Sequence, residues 1–192
     1  RMLGFPVGPL QLVDETSIDL GAKIARATKA AMGETYPDSA VDNVLFWMES
    51  KGRLGRKAKA GFFRYDAQGK RLGYWEGLGA QYPLAAQQPN LIDVQHRLIF
   101  VQSLEAVRAL ETGVLMDIRE GDVGAILGWG FAPWSGGPFS WLDILGSPYA
   151  AERCDQLHHA YGDRFACPDL LRSMASKGQS FYGQAKKAQS AA

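Results

Sequence analysis

Part of this sequence is written twice. Residues 4–14 (GFPVGPLQLVD) and residues 130–143 (GFAPWSGGPFSWLD) share one order: Gly-Phe, a proline, Gly-Pro, then an apolar cluster closed by aspartate. Further on, Gly61-Phe62-Phe63 is echoed by Ser180-Phe181-Tyr182. A motif repeated in the same order implies two copies of one helical unit, and rules out a fold that uses each segment once. The motif's own physics is local. Glycines let the backbone turn tightly, and prolines fix the direction in which the next helix starts. The closing aspartates, Asp14 and Asp143, suit a cap or a bond from a backbone N–H. Taken alone, the motif reads as structural.

The copies are unequal. Ahead of the second Gly-Phe lie a long apolar-periodic stretch (91–112) and a shorter capped one (118–127), but only Arg1-Met2-Leu3 precede the first. The expectation is a first copy lacking its leading helices, within a protein that extends upstream.

Helix punctuation supports a mainly helical chain. Ser39 and Asp42 precede Val44, Leu45 and Met48 on the face that also holds Val41, with Gly52 just beyond the end. Asn90 opens a helix with Leu91, Val94, Leu98, Val101, Leu104 and Val107 at helical spacing, stopping at Gly113. Asp117 and Glu120 form a capping-box pattern before a face of Val123, Ile126 and Leu127. Ser147-Pro148 reads as a cap with proline at the first helical position, opening a helix towards Tyr161-Gly162. Cys167-Pro168-Asp169 opens the last helix, which stops near Gly178. Phe62–Tyr65 is a weak strand signal with no evident partner. Glycines and prolines make residues 66–90 look like a connector. The expected layout is a first copy at 1–65, a connector at 66–90, a second copy at 91–183 and a frayed small-residue tail at 184–192.

Composition excludes several classes. A net charge of +1 gives no argument for nucleic acid or an anionic membrane. Two cysteines are too few for a disulfide framework and fit a reducing compartment, although one bridge between them stays open. Residues 123–142 are uncharged over a span-like length, but their glycines and prolines read as a packed turn between helices.

The residues resemble a known family. GFPVGPLQLVD at 4–14, followed by GRLGRKAKAGFFRYD at 52–66, is similar to the C-terminal domain of 3-hydroxyacyl-CoA dehydrogenases. RLIFVQSLEAVRALETGV at 97–114, running into the second Gly-Phe motif, resembles the second copy found in multifunctional fatty-acid oxidation enzymes. The resemblance covers most of residues 2–183. It implies an all-α fold, a duplicated helical bundle of the 6-phosphogluconate-dehydrogenase C-terminal type, with no Rossmann domain in this chain. It also implies a larger NAD-dependent enzyme with a crotonase-like hydratase domain, a Rossmann domain bearing a catalytic His–Glu pair, and a possible thiolase partner. The family's substrate-positioning Asn lies on a helix that would precede Arg1, so neither Asn43 nor Asn90 takes that role. Two departures are visible. Lys59-Ala60-Gly61-Phe62 stands where Gly-x-Gly-Phe is common, and Leu127 stands where some relatives place a substrate-touching tyrosine. The final Gln-Ser-Ala-Ala is not a peroxisomal address, so a bacterial cytoplasmic protein is expected.

No catalytic residue, cofactor site or metal site is expected in this segment, which should be inactive alone, with NAD held elsewhere. The Gly-x-Gly-x-x-Gly spacing after a strand is missing. Cys154 and His158 share a helix face, but without further ligands they read as an ordinary pair. Arg53, Arg56, Lys57 and Lys59 form a basic cluster. It reads as a solvated turn or, through Arg56 and Lys57, as an attractor for CoA phosphates. Phe5, Pro6, Pro9 and Leu12 are the candidate acyl-CoA contacts. Trp129, Phe131, Trp134, Phe139 and Trp141 are the candidate interface, read as the seam between copies. The rival reading is a stand-alone helical module that dimerises through that aromatic patch.

Overall fold

The computed structural model describes residues 3–37 and 39–183. Arg1, Met2 and the tail from Gln184 onward, where fraying is expected, lie outside the described residues. The described chain is mainly helical, with one two-stranded antiparallel sheet. It forms two compact units. One is Val7–Gln88, and the other runs from Pro89 onward and also takes the residues up to Pro6.

In the Val7–Gln88 unit, α1 (Pro9–Thr16), α2 (Ile18–Met32) and α3 (Ala40–Ser50) precede β1 (Phe63–Tyr65), β2 (Arg71–Tyr74) and α4 (Glu76–Gln81). The Ser39 hydroxyl caps α3 by accepting from the Asp42 N–H. α2 buries Ile18, Ala22 and Ala25, while Leu20 and Ile24 stay exposed. Small residues on its inner face let it approach α3 closely, and they also hide the helix from an apolar-periodicity reading. The core comprises Ile18, Ala22, Leu45, Met48, Phe62 and Phe63.

Residues 66–88 are part of this unit. β2 supplies the partner that the Phe62–Tyr65 signal lacked in sequence, pairing Phe63 with Tyr74 and Tyr65 with Arg71. Trp75 stacks on Trp47 at 5.4 Å, and Leu78 packs on the core. The glycines of this stretch therefore shape a hairpin and a short helix, and the longest run without regular secondary structure is 82–90.

The other unit contains α5 (Leu91–Glu111), α6 (Ile118–Trp129), α7 (Pro138–Leu145), α8 (Ser147–Tyr161) and α9 (Asp169–Lys177). Asn90 caps α5, accepting from the N–H groups of Ile92 and Asp93. Asp117 caps α6, accepting from Arg119 N–H. Its core holds Phe100, Leu104, Val107, Phe131, Phe139, Leu142, Leu157, Leu171 and Met174, with Leu3 included.

Three local expectations change. Ser147 lies inside α8, whose cap position is Gly146, and its hydroxyl donates to the Gln179 carbonyl at 2.6 Å. On α6 the buried positions are Asp122 and Ala125, while Val123 and Leu127 are 56% and 80% exposed. The helix turns this way because Asp122 is drawn inward to the start of α7. The compact units also divide the chain differently from the layout read in sequence, because Leu3–Pro6 pack with the later helices.

The duplication is visible element by element. α1 and α7 are each 8 residues long, begin with proline after glycine, and end at a residue with positive φ, Ser17 or Gly146. α2 and α8 are each 15 residues long and end at Gly33 and Gly162. α3 and α9 follow, each packed on the helix before it.

Candidate functional site

The closing aspartate of each copy is a clamp. Asp14, 1% exposed, sits on α1. Its Oδ1 accepts from Phe62 N–H at 2.8 Å, and its Oδ2 from Phe63 N–H at 3.1 Å and the Tyr65 hydroxyl at 2.8 Å. Gly61 makes the approach possible, since a Cβ there would lie 2.2 Å from Asp14 Oδ1. Arg53 fastens the same strand from the other side, donating to the carbonyls of Gly61 at 2.7 Å and Phe63 at 3.0 Å. Its guanidinium lies 4.2 Å from the Trp75 ring centre.

The second copy repeats the arrangement. Asp143 Oδ1 accepts from Phe181 N–H at 2.8 Å, and Oδ2 from Tyr182 N–H at 2.9 Å. A further carboxylate, Asp122, is 2% exposed and caps α7 from outside it. It accepts from Phe139 N–H at 2.8 Å, Ser140 N–H at 3.1 Å, Ser140 Oγ at 2.6 Å and the Tyr182 hydroxyl at 2.9 Å. Burial, then the bond to a carboxylate, raises the hydroxyls of Tyr65 and Tyr182 above the usual phenol range, Tyr65 by more. Each of these carboxylates ties backbone N–H groups of another segment to its helix, an architectural role.

A cationic cup lies beside the first clamp. Gln11, Glu15, Arg56, Tyr65, Gln68, Gly69, Lys70 and Arg71 line a cavity of about 370 Å³. Arg56 pairs with Glu15 at 3.0 Å, and Arg71 stacks its guanidinium 4.7 Å from the Phe63 ring centre. Among the described residues no carboxylate lies within ion-pair distance of Lys70 or Arg71. Lys57 points elsewhere and pairs with Asp19 at 2.6 Å. Hydrogen bonding from Lys57 and then Ser17 holds the Asp19 carboxyl at about 2.

Of the six residues expected to face substrate, only Arg56 lines this cup. Phe5 and Pro6 belong to the other unit, where Phe5 meets Phe131 edge-on at 6.2 Å and Pro6 packs beside Gly130. Pro9 and Leu12 lie on α1, with Leu12 51% exposed. The aromatic patch also divides. Phe131, Phe139 and Trp141 are core residues of their own unit, and of the five only Trp129 and Trp134 stay exposed. Lys70, Arg71 and Asp122 were missed in sequence. The Asp66–Gly69 turn was a usable signal that Lys70 and Arg71 return towards Tyr65.

These residues do not fit a dinucleotide. The helix following a strand, α4, has a glutamate in its first turn, and the Trp75 ring fills the space over Gly77. An anionic pyrophosphate needs a bare glycine and free N–H groups there. Nor, among the described residues, do three His, Cys, Asp or Glu side chains converge as metal ligands. His158 Nε2 lies 2.9 Å from Asp163, away from Cys154. No helix of the described residues is long and apolar enough to cross a membrane.

The repeated clamp, the Gly-Phe turns and the paired helices define a duplicated helical domain. Residues 1–65 match the family described as 3-hydroxyacyl-CoA dehydrogenase, C-terminal domain. The chain as a whole is similar to fatty acid oxidation complex subunits alpha. It is 40% identical to that of Shewanella loihica over 182 residues, 38% identical to that of Vibrio vulnificus and 38% identical to that of Shewanella amazonensis. Each match covers 93% of this chain and 25% of the relative, so the chain spans about a quarter of the relatives' length.

Proposed function

We propose that this chain is the helical part of an NAD-dependent 3-hydroxyacyl-CoA dehydrogenase of fatty-acid β-oxidation, in a longer protein that also carries enoyl-CoA hydratase activity. The observation that supports this most is the similarity to alpha subunits across both copies, 93% of the chain. In this reading the NAD site and the His–Glu pair belong to another domain, which would supply the redox chemistry. The present segment closes the acyl-CoA site. α1 offers the exposed Leu12 and Pro9 to the acyl-CoA, and the cup around Arg56 draws in its phosphates. Arg56 brings a planar, permanently charged donor group, and Lys70 and Arg71 add positive charge not cancelled by Glu15. Trp129 and Trp134 take the interface role towards other domains, and a thiolase subunit is a further partner. The setting is the bacterial cytoplasm.

A phosphate contact shared by ground and transition states changes KM and leaves kcat alone. In the longer protein, Arg56→Gln with Lys70→Gln should raise KM for acetoacetyl-CoA about tenfold at unchanged kcat. An unchanged KM would remove the cup from the acyl-CoA site. The rival module that dimerises through the aromatic patch is weakened, because three of its five residues are core.

A further inference from the structure

On α5, Val94, Arg97, Leu98 and Val101 share a face at three- and four-residue spacing. The unit's core uses a different face of the helix: Ile99, Phe100, Ser103, Leu104 and Val107. The first face instead walls a cleft of about 460 Å³, lined on its other side by Tyr161, Arg164 and Phe165. That volume suits a small organic molecule. The wall opposite α5 is fastened, because Arg108 donates to the backbone carbonyls of Arg164 at 3.4 Å and Ala166 at 2.9 Å.

The cleft combines an apolar lining with two arginines outside any close ion pair. Phe165 is 3% exposed at its base, and Leu98, 42% exposed, opens onto it. The Arg97 guanidinium lies 4.0 Å from the Tyr161 ring centre. Among the described residues, neither Arg97 nor Arg164 has a carboxylate within ion-pair distance. The adjacent acid, Asp93, is already engaged: Arg153 donates to one oxygen at 2.5 Å and the Tyr161 hydroxyl to the other at 2.6 Å. Two guanidinium groups beside apolar side chains are matched by one anionic head on an apolar tail. The head gains charge-assisted hydrogen bonds, and the tail leaves water.

We infer that this cleft binds an amphiphilic anion, a carboxylate or phosphate monoester on an apolar chain. The site shares no residue with the cup around Arg56 and does not depend on the dehydrogenase reading. Decanoate and decyl phosphate distinguish the two heads, and calorimetric titration into the 192-residue chain below the micelle concentration is the experiment. Saturable one-to-one binding of at least one is expected. Arg97→Gln and Arg164→Gln should each weaken it about tenfold, and Leu98→Asp should weaken it as well. Arg56→Gln should leave it unchanged. Decanol, which has the tail alone, and acetate, which has the head alone, should bind at least tenfold more weakly to the unaltered chain. Equal binding of decanol and decanoate, indifference to both arginine substitutions, or no saturable binding of either anion would overturn the assignment. The decanol comparison needs no variant, so it stands even where a substitution disturbs folding.

Discussion

Asp14 holds three donors on two oxygens with almost no solvent contact. Asp14→Asn keeps the size but turns an acceptor into a donor facing backbone N–H groups. Each unsatisfied buried group costs about 1–3 kcal/mol, so a loss of about 2–4 kcal/mol is expected in urea unfolding. A loss below about 0.5 kcal/mol, the size of an ordinary surface change, would show that the clamp is incidental. That these aspartates matter was legible, because they close both copies of the motif. Their partners were not, since Phe62 lies 48 positions downstream of Asp14. His96 is a second residue-scale case. Its Nδ1 accepts from Arg153 Nε at 3.1 Å, which requires a neutral ring. Burial first, then the Arg153 charge, lowers its pKa below the usual 6.5. The unfolded chain therefore binds the extra proton more readily, and folded stability falls as pH drops through the window just under 6.5. Thermal midpoints across pH 5–7 should show this slope, and His96→Gln should flatten it. The same slope in the variant would assign it to other groups.

At the scale of elements, caps read well and close packing read poorly. Ser39, Asn90 and Asp117 mark their helix starts because a cap is a local bond. α2 escaped notice because its inner face is Ile18, Ala22 and Ala25, too small to show an apolar stripe. β2 escaped because pairing is set by the partner strand rather than by its own Arg-Leu-Gly-Tyr sequence. The junction of α8 with the entry to α9 carries a chemical consequence. Cys154 and Cys167 pack in one core cluster, and Cys167 Sγ donates to the Pro168 carbonyl at 3.7 Å. Cys154 is buried, and its bond with Cys167, together with burial, pushes its thiol far up. The bond from Cys154 and the nearby Arg172 charge lower Cys167. Iodoacetamide at neutral pH should therefore modify Cys167 well before Cys154, as peptide mass mapping would report. Cys154 reacting first would contradict this arrangement.

For the whole molecule, the duplication told more than any single motif. It pointed to two copies of one unit, but not to the division into compact units, because Leu3–Pro6 join the later helices. Leu3 is 9% exposed, and its carbonyl accepts from Trp134 Nε1 at 2.6 Å. Residues 83–89 are exposed and without regular structure, so limited proteolysis should cut there first. The two pieces should then co-elute until denatured, held by Leu3–Pro6 in the core of the second unit. Separation without denaturant would show that this anchoring is weak. The site was less legible than the fold. Sequence offered Arg56, but the cup also needs Lys70 and Arg71, which a turn and a hairpin bring back to it. In the proposed function this helical segment completes an acyl-CoA site whose chemistry lies on another domain. The most direct measurement is NADH oxidation with acetoacetyl-CoA by the longer protein, the longer protein lacking residues 1–192, and this chain alone. Turnover only in the longer protein that retains the segment is the predicted result. Equal turnover with and without it, or turnover by the chain alone, would contradict the account.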